Sequence, residues 1–506
     1  MAHTNENIFN YDYVVIGGGT SGAVVARRLA EGDANSSVCL LEAGPSRMPG
    51  NWVLNKEKSH DWNYDIVAQK GCNNRIINAP RARFLGGCSA INGTVLARGA
   101  KADYDRIAAM GNPGWSWEEM LPYFKASETF HPAEWHQSDL TVHGISGPLH
   151  TEPYPPAPVS EKVLESFIDC GFEYKPDMFV QGEYEGVGYP VRTASKGIRS
   201  ISADFVHQYE KVNLIVRTGV YVDRIILESN NINNKEKRDY KAVGVEAHYD
   251  ANGQPIIIKA KKEIILSAGY AVETYNSIRG QFRTLQRKLL ALQSNPVRVV
   301  RPHLFSTYNS PMILMHSGIG PAEHLVEMGI NYEVPQNPVE GEGGIDLYVL
   351  LCGPQARGTV RLSSNDSTCK PIIDHAYLEN DVDVAVLAEG CRIGHEVLMK
   401  GRGTKNIITD PWPKTISHSM DLAAWKNHVR TVATTCFHPC GTCKMAPNTD
   451  PMGVVDNRLR VRNVEGLRVA DVSILPLINN GHTQAPAYAI AEKVAHMVLQ
   501  DTTVTC

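Results

Sequence analysis

A short apolar run, Tyr13 to Ile16 (YVVI), leads directly into Gly17-Gly18-Gly19-Thr20-Ser21-Gly22 and then into AVVARRLAEG, which closes at Gly32. The run reads as a buried parallel strand and the segment after the glycines as a helix. Gly17 permits a tight turn, Gly19 lets a pyrophosphate approach the backbone, and Gly22 lets helix and strand pack closely. The N-terminus of such a helix offers free N–H groups and a positive dipole end to phosphates. A second strand, SVCLLE, ends at Glu42, twenty residues beyond Gly22. A carboxylate there accepts both hydroxyls of a ribose and repels a 2′-phosphate. Glycine turns alone are common, but strand, loop, helix and acid together predict a dinucleotide-binding βαβ unit.

That unit does not distinguish NAD from FAD. Two later segments favour FAD: KEIILSAG (Lys262 to Gly269) and GLRVAD (Gly466 to Asp471) each read as a strand running into small or acidic residues. A long flavin dinucleotide needs contacts beyond the first βαβ unit, and Asp471 at a strand end suits its ribityl and phosphate region.

The chain's 506 residues exceed what one simple core holds, so two or more regions are expected. Composition is that of a globular protein, with 43% hydrophobic and 21% charged residues. A net charge of -4 offers no basic field for nucleic acid. The polar start MAHTNENIFN has no apolar signal core, and no apolar run approaches the ~20 residues of a membrane helix. Eleven cysteines, an odd number without a signal segment, fit reduced thiols. A cytosolic protein with no membrane or nucleic-acid partner is the expectation, so the sequons at Asn35, Asn92 and Asn365 carry no weight.

Five stretches resemble the glucose–methanol–choline (GMC) oxidoreductases, FAD enzymes that oxidise alcohols. They are GGGTSGAVVARRLAE from Gly17, RFLGGCSAINGTVLARGAKADYD from Arg83, YNSPMILMHSGIGP from Tyr308, HPCGTCKM from His438, and RVADVSILPLINNGHTQAPAYAIAEKVA from Arg468. They occur in the family's order. The resemblance implies an α/β (α+β overall) fold: a Rossmann-like FAD-binding domain with a discontinuous substrate-binding domain on an antiparallel sheet, incomplete in this chain. The expected FAD-domain pieces are 1–146, 197–341 and 431–506, and the substrate-domain pieces 147–196 and 342–430. NLIVRTGVYVDRIILE from Asn213 reads as paired strands, and GTVRLSSND from Gly358 as a strand ending in a turn.

By the same resemblance, FAD is held by Gly17, Gly19, Thr20, Ser21, Gly22, Glu42, Ala43, Gly86, Asn92, Gly93, Thr94, Val95, Val222 (through its backbone, near the adenine), Asp471, Thr483 and Gln484. Some members tether the flavin through a histidine just before the asparagine; Ile91 stands there here, which implies non-covalent FAD. Among eighteen histidines two stand out. His438 lies in a Pro/Gly-rich turn, and His482 just before AYAIAEKVAHMV, which reads as the last helix. In the family the corresponding pair faces the flavin across the alcohol. A near-neutral histidine suits removal of a hydroxyl proton, so His438 is expected as base and His482 as the partner that orients the hydroxyl and stabilises the developing alkoxide. Cys436, His438, Cys440 and Cys443 could also be read as a zinc knuckle or redox C-x-x-C. No second ligand pair follows and no thioredoxin-like unit precedes, so no metal is expected.

The pattern breaks twice. Relatives run from Ser267-Ala268-Gly269 almost directly to Tyr308; here residues 270–307 intervene, with six basic residues and one acid. QFRTLQRKLLALQ within them has the pattern of a basic amphipathic helix for a membrane or partner, but a translated intron or tolerated surface insertion is the favoured reading. Second, a glycine–asparagine–histidine stretch and several central substrate-domain strands of the family are missing around QNPVEGEGGIDLYVLL. An FAD-dependent alcohol dehydrogenase or oxidase of a biosynthetic pathway is the leading expectation, acting on a small-molecule alcohol with an unspecified electron acceptor. An inactive or mis-spliced homologue and an NAD-dependent dehydrogenase are the alternatives.

Overall fold

The computed structural model describes residues 7–46, 60–64, 66–229, 240–249, 253, 255–269, 345, 347–361, 363–364, 369–408, 411, 416–417 and 419–504. The sequence expectations for the 270–307 insertion and for the Tyr308 stretch lie outside these residues.

The first strand is longer than its apolar run, because pairing extends it back through the polar start: β1 spans Ile8–Ile16, helix α1 Gly22–Gly32 and β2 Val38–Glu42. Every residue of β2 is buried, as befits a parallel strand covered on both faces. Six strands of an eight-stranded sheet run in the order Val220–Ser229, Tyr240–Tyr249, Pro255–Leu266, β1, β2, Leu214–Thr218, and two more lie off this path, Val464–Glu465 beside Tyr240–Tyr249 and Leu467–Val469 beside Pro255–Leu266. Pro255–Leu266 serves two neighbourhoods. On one edge it runs parallel to β1 along almost its whole length; on the other its first half pairs antiparallel with Tyr240–Tyr249 and its last residues run parallel to Leu467–Val469. The C-terminal ends of β1, β2, Pro255–Leu266 and Leu467–Val469 therefore open on one edge, where ligands bind in such sheets.

One expectation is corrected here. Leu214–Thr218 and Val220–Ser229 do not pair with each other: the first joins β2 in parallel and the second joins Tyr240–Tyr249. Gly219 alone separates them, with φ +69°, and a one-residue link re-aims the chain but is too short for a hairpin loop.

Helix α1 buries Ala23, Val24, Val25, Ala26, Leu29 and Ala30. Its small residues let it lie close to the last helix, Gln484–Val504, and a Cβ at Gly32 would come within 2.3 Å of Leu499. One continuous core joins the sheet, α1 and this last helix.

A four-stranded sheet of Val95–Leu96, Val191–Arg192, Leu149–Pro153 and Glu128–Phe130 packs beside it, with strands on both sides of the expected division at residue 147. Helices Asp381–Lys400 and Leu422–Val432 form a separate cluster with Cys72, Ile77 and Trp425. The strand expected at Gly358 is Thr359–Arg361; it pairs with Ile372–Asp374, a two-stranded sheet among the described residues.

Candidate functional site

The glycine loop has one open and several closed positions. Gly17 has φ +92°, and a Cβ on it would lie 2.6 Å from the Ser267 carbonyl oxygen. At Gly22 a Cβ would lie 1.9 Å from the Gly17 oxygen, so this glycine is needed by the fold itself. A Cβ on Gly19 meets nothing within 4 Å, which leaves the loop backbone exposed to a ligand. Thr20 is half-buried on the loop. Ser21 is turned away: its hydroxyl donates to the Ala487 carbonyl at 2.9 Å and ties α1 to the last helix.

Glu42 is buried at the end of β2, where its carboxylate accepts from the N–H groups of Gly18 (2.9 Å) and Gly44 (2.8 Å). Burial pushes its pKa up, and those two donors oppose the shift. Ala43 is buried beside it, and the Gly219 N–H donates to Gly44 at 2.9 Å, bringing the strand that carries Val222 alongside the turn. Asp471 is likewise buried past a strand end, accepting from Gly269 N–H (2.9 Å) and Ser473 N–H (2.8 Å). Its pKa is also raised by burial.

The second glycine loop closes on the first. Gly86 N–H donates to the Gly18 carbonyl at 2.8 Å, and Ser202 Oγ donates to the carbonyls of Gly19 (3.2 Å) and Gly86 (3.1 Å). Beyond it a ring of hydrogen bonds closes. Asn92 Nδ2 donates to Gln484 Oε1 (2.7 Å), Gln484 Nε2 to Thr193 Oγ1 (3.3 Å), Thr193 N–H to the Thr94 carbonyl (2.8 Å), and Thr94 N–H back to Asn92 Oδ1 (3.0 Å). Arg199 also donates to Asn92 Oδ1, at 3.0 Å. Gly93 is exposed with open space at its Cβ position, Val95 is buried, and Thr483 leads into the last helix. Open space at Gly19 and Gly93, together with buried carboxylates at Glu42 and Asp471, fits an extended dinucleotide.

His438 and His482 come together from segments more than forty residues apart: their rings lie edge to face, centroids 4.7 Å apart and planes at 71°. Burial, then the neighbouring His482 and the Arg81 guanidinium, pulls the His438 pKa down to about 3. Burial alone takes His482 to about 4. Both rings are therefore neutral at physiological pH. Nδ1 of His482 is buried without a hydrogen-bond partner among the described residues. Among the described residues no group of three or more His, Cys, Asp or Glu could hold a metal ion, and Cys436, Cys440 and Cys443 are free thiols.

Four contributors were missed in the sequence. Phe437, just before His438, adopts φ +61°, rare for a bulky side chain. Its N–H donates to Thr435 Oγ1 (3.0 Å) and its carbonyl accepts from Arg81 (3.1 Å), which holds the strained turn in place. On the other histidine's loop, Asp103 grips Asn480 and Asn479 reaches back to Arg98. Only Asp103 left a signal: it stands three residues after Ala100, at the cap position of a helix.

Residues 11–275 and 354–491 match the N- and C-terminal sequence patterns of GMC oxidoreductases. An uncharacterised GMC-type oxidoreductase of Mycobacterium tuberculosis is 30% identical, covering 96% of this chain and 99% of its own. An oxygen-dependent choline dehydrogenase of Photobacterium profundum is 29% identical over 97% of this chain and 93% of its own. Among solved structures, a formate oxidase of Aspergillus oryzae superposes with a TM-score of 0.78 at 23% identity, covering 100% of both chains, which shows the shared fold. No described helix is long and apolar enough to cross a membrane.

Proposed function

The chain belongs to the GMC oxidoreductase family, whose members bind FAD, and on that premise we propose that it oxidises a small-molecule alcohol to an aldehyde or ketone. The supporting observation is the neutral, edge-to-face pair of His438 and His482 at 4.7 Å, with a buried unpartnered Nδ1 on His482. FAD, when bound, supplies the acceptor for the hydride that leaves the alcohol carbon.

The protein's own residues handle position and protons. Neutral His438 takes the hydroxyl proton. His482 orients the hydroxyl through its free nitrogen and stabilises the developing alkoxide. Arg81, beside His438, adds positive potential as that negative charge grows. The Gly17–Gly22 loop would receive the pyrophosphate of FAD, Glu42 the ribose and Asp471 the ribityl and phosphate region, with Gly86 and Asn92 to Val95 along the flavin. Ile91 in place of a tethering histidine leaves FAD non-covalent. We place the protein in the cytosol and favour a dehydrogenase over an oxidase, because a cytosolic protein has little use for peroxide release.

The test is the purified protein's visible spectrum and its bleaching by primary and benzylic alcohols without oxygen. Absence of flavin bands, or bands that no alcohol bleaches, rejects the reading; a His438→Ala protein that bleaches as fast as wild type rejects the base assignment. A second reading, flavin binding without turnover, rests on the two-stranded sheet at Thr359–Arg361 and predicts bands that never bleach.

A further inference from the structure

His482 sits on a loop, and a catalytic ring on a loop is only as well placed as the contacts that hold it. The loop's backbone is fastened to one short segment, residues 98–103. Asn479 Nδ2 donates to the Arg98 carbonyl and to the His482 carbonyl, both at 3.4 Å. The same Arg98 carbonyl accepts from Tyr104 at 2.5 Å. Gly99 and Gly481 touch backbone to backbone, since a Cβ on Gly481 would lie 2.9 Å from Gly99 N.

Asp103 makes the shortest hydrogen bond from this segment to the loop itself. Its Oδ2 accepts from the Asn480 N–H at 2.6 Å and its Oδ1 from Asn480 Nδ2 at 2.8 Å. It also accepts from Ala100 N–H at 3.0 Å, at the start of helix Lys101–Ala109, so the clamp is anchored to a regular element. The carboxylate is 8% exposed, and charge-assisted bonds of this kind are about twice as strong as neutral ones. The segment that carries Asp103 follows directly on Val95–Leu96, the strand beyond Asn92.

We propose that Asp103 is a positioning residue: by clamping Asn480 it holds the His482 ring against His438 and in register with the Asn92–Val95 face. This rests on the reading of His482 as His438's partner in alcohol oxidation. Asp103 touches neither ring; it acts through Gly481, the one residue between Asn480 and His482. Among the described residues no other carboxylate bonds to the 479–482 loop.

The experiment uses full-length protein with carbon-13-labelled histidine, comparing wild type with Asp103→Ala, Asp103→Asn and Asn480→Ala, with His482→Ala to assign the signal. In wild type the His482 resonance stays that of a neutral ring down to about pH 4. In Asp103→Ala it should titrate near the ordinary ~6.5 of a solvated imidazole. In Asp103→Asn it should stay as in wild type, because the exposed Asn480 amide can turn over and accept. Asn480→Ala, which leaves the helix cap intact, should move it part of the way even if Asp103→Ala folds poorly. In the flavin-loaded protein, Asp103→Ala should lower kcat for alcohol about 100-fold, the scale of a misplaced catalytic group, with KM little changed and Asp103→Asn restoring it.

An unaltered His482 titration in both Asp103→Ala and Asn480→Ala overturns the proposal. So does a released ring with an unaltered kcat. If wild type itself reduces no flavin with any alcohol, the alcohol reading fails by itself, and the His482 titration still decides for or against Asp103.

Discussion

His438 and His482 stand edge to face, 4.7 Å between centroids, and each ring is held neutral chiefly by burial. A base must be unprotonated to take a hydroxyl proton. The acid limb of kcat/KM, which reports the free enzyme, is therefore expected well below the ordinary histidine value, towards the value of about 3 to which His438 is lowered. Replacing Arg81 by Gln removes a positive charge beside His438 and raises its pKa, so the limb should move towards neutrality. Rates of anaerobic flavin reduction from pH 4 to 8 check this; a wild-type limb near 6.5 contradicts it.

The glycine loop separates folding from binding. Gly22→Ala drives a Cβ to 1.9 Å from the Gly17 oxygen, so the apoprotein itself should lose stability, by at least ~2 kcal/mol on the scale of overpacking. Gly19→Ala meets nothing within 4 Å and should leave apoprotein stability within about 0.5–1 kcal/mol while weakening flavin binding. Denaturant unfolding of both apoproteins, with flavin titration, tests the pair; equal stability losses would count against a ligand facing Gly19.

The hydrogen-bond ring at Asn92 predicts a local cost. Gln484→Leu leaves the half-buried Asn92 Nδ2 without its acceptor, at a cost of about 1 kcal/mol, the low end for a polar group left unsatisfied. Restoring stability with Asn92→Ala on top of it would mark the two as one unit, by a double-mutant cycle.

What could be read in advance follows from locality. β1, α1, β2 and Glu42 were legible because the glycines, the apolar runs and the acid all lie within one short stretch. The last helix and the loops of His438 and His482 were legible too, since turn residues abut a periodic segment. The separation of Leu214–Thr218 from Val220–Ser229 was not, because the apolar pattern is that of a hairpin and only the conformation of Gly219 denies it. The positive φ of Phe437 has no sequence signal either: one of the two bonds that hold the turn comes from Arg81, 356 residues away. Asp103 was not singled out in the sequence, because its hold on Asn480 spans 377 residues that no local pattern connects.

A buried charge cluster includes Glu128 of the four-stranded sheet. Arg98 donates to Glu128 at 3.0 Å, and His143 bridges Glu128 (3.1 Å) and Asp177 (3.1 Å), all almost fully buried. The two acids and their hydrogen bonds raise the His143 pKa against its desolvation. Hydrogen bonding by His143 and the charges of Arg98 and His143 lower that of Glu128 against its own desolvation. A raised histidine contributes stability that is complete below its unfolded value of 6.5 and lost as pH rises through the folded value. A lowered glutamate contributes stability that is complete above 4.5 and lost as pH falls through its folded value. The cluster thus stabilises fully between those limits, while His438 and His482, with lowered pKa values, destabilise progressively as pH falls below 6.5. Glu128→Ala strands the Arg98 guanidinium in a dry interior and should cost about 3–5 kcal/mol at pH 6. His143→Gln keeps a hydrogen-bonding group but cannot titrate, so the alkaline decline in Tm should flatten in this variant. The melting curves of wild type and His143→Gln from pH 5 to 9 decide it: parallel declines on the alkaline side would mean that His143 does not carry the charge in the folded protein.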